Sequence, residues 1–337
     1  MRDERRFTMK TLRLAMAVVA ALAVGSTGLA ETCQTASDMD AATKAALSAA
    51  GTKYFDMVAK GDTTGLQQNS IPALASDFSG IGGTVKEQQS ALAGSKGTAR
   101  PPFVLQTDAT AARSEFFCGV FGSKGQTADS ATFTLSNLPA GKYAVVILDA
   151  TTAKGPYTVS LVLQQLGSDW KLGGLYIKAG QSAGHDGNWY VTKAKEYQGK
   201  GQAHNAWLYY VEARTLISPL PFMSTAVTDK LYDDSQKLQP ADLPVDGKTV
   251  DLAANGGSFR LTAVFPEVVG SDLDLIVRYQ ATDVADTNKA YAGNMAVMKA
   301  LVAKFPELKD AFGGIVARAV DASGRDYGTL MAMKDIK

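Results

Sequence analysis

The chain has 337 residues, with 34 lysine and arginine residues against 33 aspartate and glutamate residues, which gives a formal net charge of +1 at pH 7. A charge this close to zero produces no long-range field that would gather nucleic acid or an anionic membrane, so neither is expected as a partner. Hydrophobic residues make up 46% of the chain and charged residues 20%; this ordinary globular composition excludes a chain that is disordered throughout, and the length allows two domains with separate cores.

The first thirty residues have the pattern of a signal peptide. A basic segment comes first, an apolar run follows over 14–24, and small residues precede Ala30. We therefore predict a signal peptide over 1–30, cleavage after Ala30, and export to the periplasm or the extracellular space. Translation starts at either Met1 or Met9 in this interpretation. The alternative is a retained signal anchor, but the apolar run is short for a membrane span, and no span is expected after cleavage.

The chain has two cysteines, Cys33 and Cys118, and both lie beyond the predicted cleavage site. In an oxidising compartment two lone cysteines most simply pair, so we predict a disulfide that ties the mature N-terminus to a strand around Cys118. The alternative is two unpaired thiols, one in the sheet and the other at a frayed terminus. No nearby histidine or motif indicates a catalytic thiol.

The first predicted domain, residues 31–180, begins with helices. Ser37 stands where a helix N-cap is expected, and the helix should run to about Lys60. A short second helix is expected over 63–69. The next stretch, 78–102, is rich in Gly, Ser, Thr and Gln, which favours a loop with a turn or two of helix around 86–93.

Strands fill the rest of this domain and are expected to form one curved antiparallel sheet. The segment 143–148 is apolar on both faces, as expected of a central strand. Segment 157–166 has apolar residues at alternate positions, and 170–177 returns beside it after a short turn. Three further strands precede these, over 103–107, 114–121 and 131–136.

Two segments of this domain resemble a known superfamily. Residues 53–62 read KYFDMVAKGD on the predicted helix, and residues 165–176 read QLGSDWKLGGLY on a predicted hairpin. Over about 40–178 the chain resembles the nuclear transport factor 2-like superfamily, which includes the SnoaL-like and ketosteroid-isomerase-like proteins. The resemblance implies a cone-shaped α+β fold in which helices cap a strongly bent sheet around a pocket. Members are enzymes, binding modules or dimerisation modules, so the fold leaves the function open.

The resemblance also suggests where an enzyme would place its chemistry. In ketosteroid-isomerase-like members, acidic and tyrosine side chains in an apolar pocket have shifted proton affinities. Asp149 at the end of the central strand, together with Tyr54 and Tyr143, are therefore the first candidates for catalytic residues.

Residues 181–243 are interpreted as a linker followed by a helical hairpin, with helices over 202–217 and 224–238. Large aromatic rings concentrate before and within the first of these helices, and such rings are enriched at interfaces. The alternative is that the rings pack the helical hairpin onto the first sheet. We predict that this segment binds a partner through four side chains: Trp189, Tyr190, Tyr197 and Trp207.

The last predicted domain, 244–337, is a small α+β domain. A long helix with apolar residues at three- and four-residue steps ends at Pro306. The whole chain is thus predicted to be α+β, with N-terminal helices on a curved, cone-like antiparallel sheet, a helical hairpin connector and this C-terminal domain. The strands of the last domain are expected over 248–254, 258–265, 273–280, 315–320 and 326–333.

The chain carries no pattern that names a reaction. Its two histidines, His185 and His204, stand in unlike contexts, and a zinc site needs three or four ligands, so no metal and no cofactor is predicted. The single Gly-x-Ser-x-Gly match, GQSAG over 180–184, falls in the predicted linker and not at a sharp turn from a strand into a helix, so it does not indicate a serine nucleophile. The sequence favours an exported soluble binding protein, whose partner is an envelope protein or a small ligand, over an enzyme. An enzyme with its pocket in the first domain and a structural envelope protein are the alternatives left open.

Overall fold

The computed structural model of the protein describes residues 31–121, 125–245, 247–254 and 257–337. The predicted signal peptide over 1–30 lies outside the described residues. In the part that is described, helices and mainly antiparallel sheets occupy separate stretches of the chain, which confirms the predicted α+β class. None of the described helices is both long and apolar enough to cross a membrane.

The elements are numbered in chain order. The α-helices are α1 (Ala41–Lys60), α2 (Thr63–Gln68), α3 (Pro72–Ser76), α4 (Ser79–Leu92), α5 (Gly187–Gly199), α6 (Ala203–Ile217), α7 (Ala226–Gln236) and α8 (Thr287–Lys304). The first eight strands are β1 (Thr32–Gln34), β2 (Gly97–Ala99), β3 (Phe103–Thr107), β4 (Ala111–Cys118), β5 (Ala131–Leu138), β6 (Gly141–Thr152), β7 (Gly155–Leu166) and β8 (Asp169–Ala179). The others are β9 (Gln181–Ser182), β10 (His185–Asp186), β11 (Met223–Ser224), β12 (Val250–Ala254), β13 (Gly257–Val269), β14 (Asp272–Gln280), β15 (Gly314–Val320) and β16 (Asp326–Ala332).

Helix α1 begins later than the sequence predicted. The side chain of Asp40, rather than Ser37, accepts the N-cap hydrogen bond, from the backbone amide of Thr43 at 2.7 Å. The helix ends at Lys60 as expected, because the next residue, Gly61, has a left-handed φ of 68° that glycine adopts without strain.

Helix α4 occupies a stretch that the sequence predicted mostly as a loop. Its first turns contain three glycines, and glycine has a low intrinsic helix propensity. The helix forms because tertiary packing compensates for that propensity. Val85 and Leu92 are fully buried in a core that α4 shares with α1 and the first sheet. The loop prediction is therefore wrong for residues 79–85, whereas the turn or two of helix expected around 86–93 belongs to α4.

The first sheet has the strand order β1-β3-β6-β7-β8, and β2 also pairs with β6. Strand β6 has neighbours on both edges, as predicted from its apolar sequence. Its alternate side chains enter two different cores. Ala144, Val146 and Leu148 pack against the helices α1 to α4, whereas Val145 and Ile147 pack against a second sheet.

The second sheet, with the order β11-β5-β4, covers the other face of the first sheet. Cys33 on β1 and Cys118 on β4 form a disulfide with their Cα atoms 5.0 Å apart, which confirms the predicted pair and joins the two sheets. Strand β11 comes from a distant part of the chain to pair with β5, and Leu220 just before it is buried in the same core.

The third sheet has the order β12-β13-β14-β15-β16. Strands β14 and β15 are parallel, and α8 makes the crossover that a parallel pair requires. Helix α5, which lies in the stretch predicted as a linker, and helix α6 share one hydrophobic core with this sheet. The segment 181–243, predicted as a connector, therefore contributes α5, α6 and Leu231 of α7 to the core of the C-terminal sheet.

Candidate functional site

The three predicted catalytic side chains do not meet in one pocket. Tyr54 is fully buried on α1, where its hydroxyl lies within hydrogen-bond distance of the carbonyl oxygens of Trp170, at 2.8 Å, and Asn69, at 2.9 Å. Burial raises the pKa of Tyr54 to about 12. This side chain therefore anchors α1 to the start of β8, on the helical face of the first sheet.

Tyr143 and Asp149 belong to the opposite face of the first sheet. The Tyr143 hydroxyl donates to the carbonyl oxygen of Pro139 at 2.8 Å. The Asp149 carboxylate is half exposed and accepts two hydrogen bonds of 2.7 Å from Arg100, which hold its pKa below the usual value. Between the helices and the sheet, where a cone would hold its pocket, core side chains of α1, α4 and β6 pack together.

The four aromatic residues predicted to bind a partner do not form an exposed patch. Tyr190, Tyr197 and Trp207 are only 1%, 8% and 7% exposed, and Trp189 alone of the four is partly exposed. The Tyr197 hydroxyl donates to the carbonyl oxygen of Asp310 at 2.8 Å. These rings pack α5 and α6 onto the C-terminal sheet, and the binding of a partner through them stays a prediction. They do not pack onto the first sheet, which the alternative expected.

A groove of about 740 Å³ runs along the edge of β8 that faces away from β7. Four consecutive residues of this strand, 175–178, line the groove. Neighbouring side chains of a strand point to opposite faces of the sheet. A groove that is lined by residues of both faces must therefore follow the edge of the strand. The opposite walls come from the end of α6, the segment 218–224 and α7. This groove is termed the β8 groove below.

Aromatic and aliphatic side chains form much of the β8 groove. The rings of Tyr176 and Phe222 meet edge to face with their centres 5.5 Å apart, and Tyr232 on α7, which is exposed, adds a third ring. Threonine and serine hydroxyls line other parts of the wall, including Thr132 and Thr134 on β5. An apolar groove with a few polar groups is the composition typical of sites for small organic ligands.

Arg214 on α6 supplies a cation to the β8 groove. The carbon at the centre of its guanidinium lies 4.6 Å from the ring centre of Tyr232. Within the described chain the guanidinium has no hydrogen-bond or ion-pair partner, and Asp229, the carboxylate in the described lining, is not paired with it. A guanidinium has five N–H donors in a plane, which suit the two oxygens of a carboxylate. Arg214 is therefore placed to bind an anion in the groove.

Lys178 also lines the β8 groove, but its ammonium group is already engaged. It donates hydrogen bonds to the carbonyl oxygens of Thr215 and Ser218 at the C-terminal end of α6, where a cation is favourable. Burial lowers the pKa of Lys178 to about 8, although the nearby charge of Glu212 opposes this change. Lys178 therefore fastens the edge of the first sheet to α6.

The titration of Lys178 gives a pH test of this contact. Between about pH 8 and pH 10.5 the unfolded chain retains a proton on Lys178 that the folded chain has lost, so the free energy of unfolding rises with pH in this window. Replacing Lys178 by Met removes this rise. The stability advantage of the wild type over Lys178→Met should then grow by about 1–2 kcal/mol across the window, a value reduced for partial exposure. Urea unfolding at several pH values measures it.

A matched control for this experiment is Lys195→Met, since Lys195 is exposed on α5. Its stability relative to the wild type should stay constant over the same pH range. A constant difference for Lys178→Met as well would contradict the buried position of the ammonium group.

Comparison with protein-family models, with curated proteins and with solved structures gave no match for this chain. The resemblance to the nuclear transport factor 2-like superfamily therefore stays a prediction. In the described residues, no group of three or more His, Cys, Asp or Glu side chains is arranged to hold a metal ion.

No motif in the sequence marks the residues of the β8 groove as a site. Tyr176 was assigned to a strand, Arg214 to a helix, and Phe222 to the break between two helices. The one local signal is the PLPF segment, 219–222, whose two prolines break the helix shortly after a cation. It indicates a turn and does not by itself indicate a site.

Proposed function

We propose that the protein is an exported binding protein whose β8 groove takes a small organic ligand with a carboxylate on an apolar or aromatic body. The observation that carries this proposal is the guanidinium of Arg214, which lies among aromatic rings without an acceptor in the described chain. A carboxylate held by this guanidinium would satisfy two of its donors. The apolar part of the ligand would then lie against Tyr176 and Phe222.

The size of the groove agrees with such a ligand. Sites for small organic molecules typically measure about 300–1,000 Å³, and the β8 groove measures about 740 Å³. The hydroxyl groups on its wall offer hydrogen bonds that orient a ligand without adding charge. Binding is favoured over catalysis because the described lining combines no histidine or cysteine with a neighbouring carboxylate, and its lysine is held by two carbonyl oxygens.

Export is part of the proposal. It is supported by the signal-peptide pattern over 1–30 and by the Cys33–Cys118 disulfide, since disulfides persist in oxidising compartments. Mass spectrometry of the protein recovered from its native host would test it. A mature chain that begins at Glu31 is expected, and an intact N-terminus in the cytoplasm would reject export.

Ligand binding is tested with pairs of probes that differ only in charge. Indole-3-acetate and decanoate should bind in isothermal titration, whereas indole-3-acetamide and decanamide should bind more weakly. Replacing Arg214 by Gln should weaken binding of the two acids by about tenfold, the loss expected for a charged hydrogen-bond partner. It should leave the binding of the two amides nearly unchanged.

The matched control is Arg113→Gln, because Arg113 is an exposed arginine whose ion pair with Glu115 lies outside the groove. This variant should bind like the wild type. Equal binding of acids and amides, or unchanged binding by Arg214→Gln, would overturn the proposed ligand class. Binding of extended peptides without binding of any small acid would instead favour addition of a partner strand along β8.

A further inference from the structure

A second groove lies at the other end of the chain, between β12 and α8. It measures about 820 Å³, and alanine side chains, among them Ala253 on β12 and Ala300 and Ala303 on α8, form much of its lining. Short side chains leave room above the helix and beside the strand. This groove is termed the β12 groove.

The β12 groove is strongly basic. Four lysines line it, and three of them, Lys299, Lys304 and Lys309, are exposed on α8 and the turn that follows. The acidic residue of its described lining, Asp251, is already paired with Arg260 at 3.2 Å. The ammonium group of Lys304 lies 3.9 Å from the carboxylate of Asp242, whereas Lys299 and Lys309 have no ion-pair partner among the described residues. The charge of these two lysines is therefore uncompensated at the groove.

Strand β12 is an edge strand. In the described part of the third sheet it pairs with β13 on one side and with no strand on the other. Edge strands present backbone amide and carbonyl groups that can pair with an added strand. The alanines at 253 and 254 would not obstruct such a strand, because their side chains are short.

From this combination we infer that the β12 groove is a docking site for an extended, acidic segment of a partner protein. The segment adds to the free edge of β12 through backbone hydrogen bonds, and its carboxylates face the lysines along α8. The inference rests on a different surface from the β8 groove and does not depend on the ligand proposed there.

The described lining favours a polypeptide over a nucleic acid. Single-stranded nucleic acid is usually held by aromatic side chains on which the bases stack, and the described lining of the β12 groove contains no aromatic residue. It also contains no arginine, the residue that recognises phosphate through two parallel hydrogen bonds. A lysine acts as a point charge, so each lysine can pair with one carboxylate of an extended acidic segment.

The test uses a fluorescent peptide of alternating glutamate and threonine, with a glutamine–threonine peptide and oligothymidylate as the comparison probes. Anisotropy should show binding of the acidic peptide to the full protein, weaker binding of the neutral peptide, and loss of affinity as the salt concentration rises. Reversing two charges, Lys299→Glu with Lys309→Glu, should weaken binding of the acidic peptide by about tenfold.

Two further variants distinguish binding in the groove from a general effect of the protein's net charge. Lys44→Glu with Lys86→Glu makes the same change in net charge at exposed positions of α1 and α4 and should leave binding within about twofold of the wild type. Ala303→Trp fills the groove from an exposed helix position without changing the charge and should weaken binding. Unchanged binding by either groove variant, an equal loss in the control, or equally tight binding of oligothymidylate would overturn the inference.

Discussion

Replacing Cys33 and Cys118 together by serine is expected to lower the free energy of unfolding by about 4 kcal/mol, because the disulfide restricts the unfolded chain across a long loop. The two cysteines are 85 positions apart in the sequence, and the entropy of closing a loop grows with its length. The bond also holds the short strand β1 between β3 and the second sheet. Urea unfolding followed by tryptophan fluorescence measures the loss.

The wild type in the presence of a reductant provides the control for this substitution. It should lose nearly the same free energy as the double variant, and the double variant should not respond to the reductant. If neither reduction nor substitution moved the unfolding midpoint, the two cysteines would not form a stabilising bond in solution.

Replacing Trp207 by Ala is expected to cost about 3–5 kcal/mol, the range measured when a large aromatic side chain is removed from a core. Trp207 lies on α6 in the core that this helix shares with α5 and the C-terminal sheet, and it is only 7% exposed. The loss has two sources: the apolar surface that is no longer buried and the cavity that remains.

An exposed aromatic residue of the same half of the chain serves as the control. Tyr291 on α8 is 46% exposed, so Tyr291→Ala should change the free energy of unfolding by no more than about 0.5 kcal/mol. Equal effects of the two substitutions would contradict the buried position of Trp207. A stable Trp207→Ala protein would restore the idea that this ring serves a partner and not the core.

The strands were predictable because their patterns are local. Segment 143–148 is apolar at every position, which indicated a strand covered on both faces, and β6 does lie between β3 and β7 with a core on each side. The two cysteines could be paired by counting alone. The second sheet could not be separated from the first in this way, because β4 and β5 have the same alternating pattern whichever sheet they join.

Helix α5 was missed although one signal for it was present. Asp186 caps it by accepting a hydrogen bond of 2.8 Å from the backbone amide of Trp189. The first helical residue, Gly187, belongs to a glycine-rich stretch that favoured a linker. The structure shows a different reason for this glycine, because a Cβ atom there would come within 2.5 Å of the Ile217 side chain. Here glycine allows two helices to pack closely.

The β8 groove could not be predicted from any one segment. Its walls come from α4, from strands of two sheets, and from the region around α6 and α7, so its residues are brought together by the tertiary fold alone. The residues next to Arg214 along the chain are those of an ordinary helix and do not distinguish it. Its position over Tyr232 and beside an open strand edge depends on where β8 lies in the sheet, and the order of strands is not encoded locally.

The return of strand β11 to the second sheet has a consequence for the time course of folding. During synthesis, the strands of the first two sheets up to β8 are complete once residue 179 has been made, but Leu220 and the Met223–Ser224 strand that finish their shared core are still missing. Domains usually fold in the order in which they are made. Here the earlier half would wait, with the outer edge of β5 unpaired and part of its core open, until α5 and α6 of the later half have been synthesised.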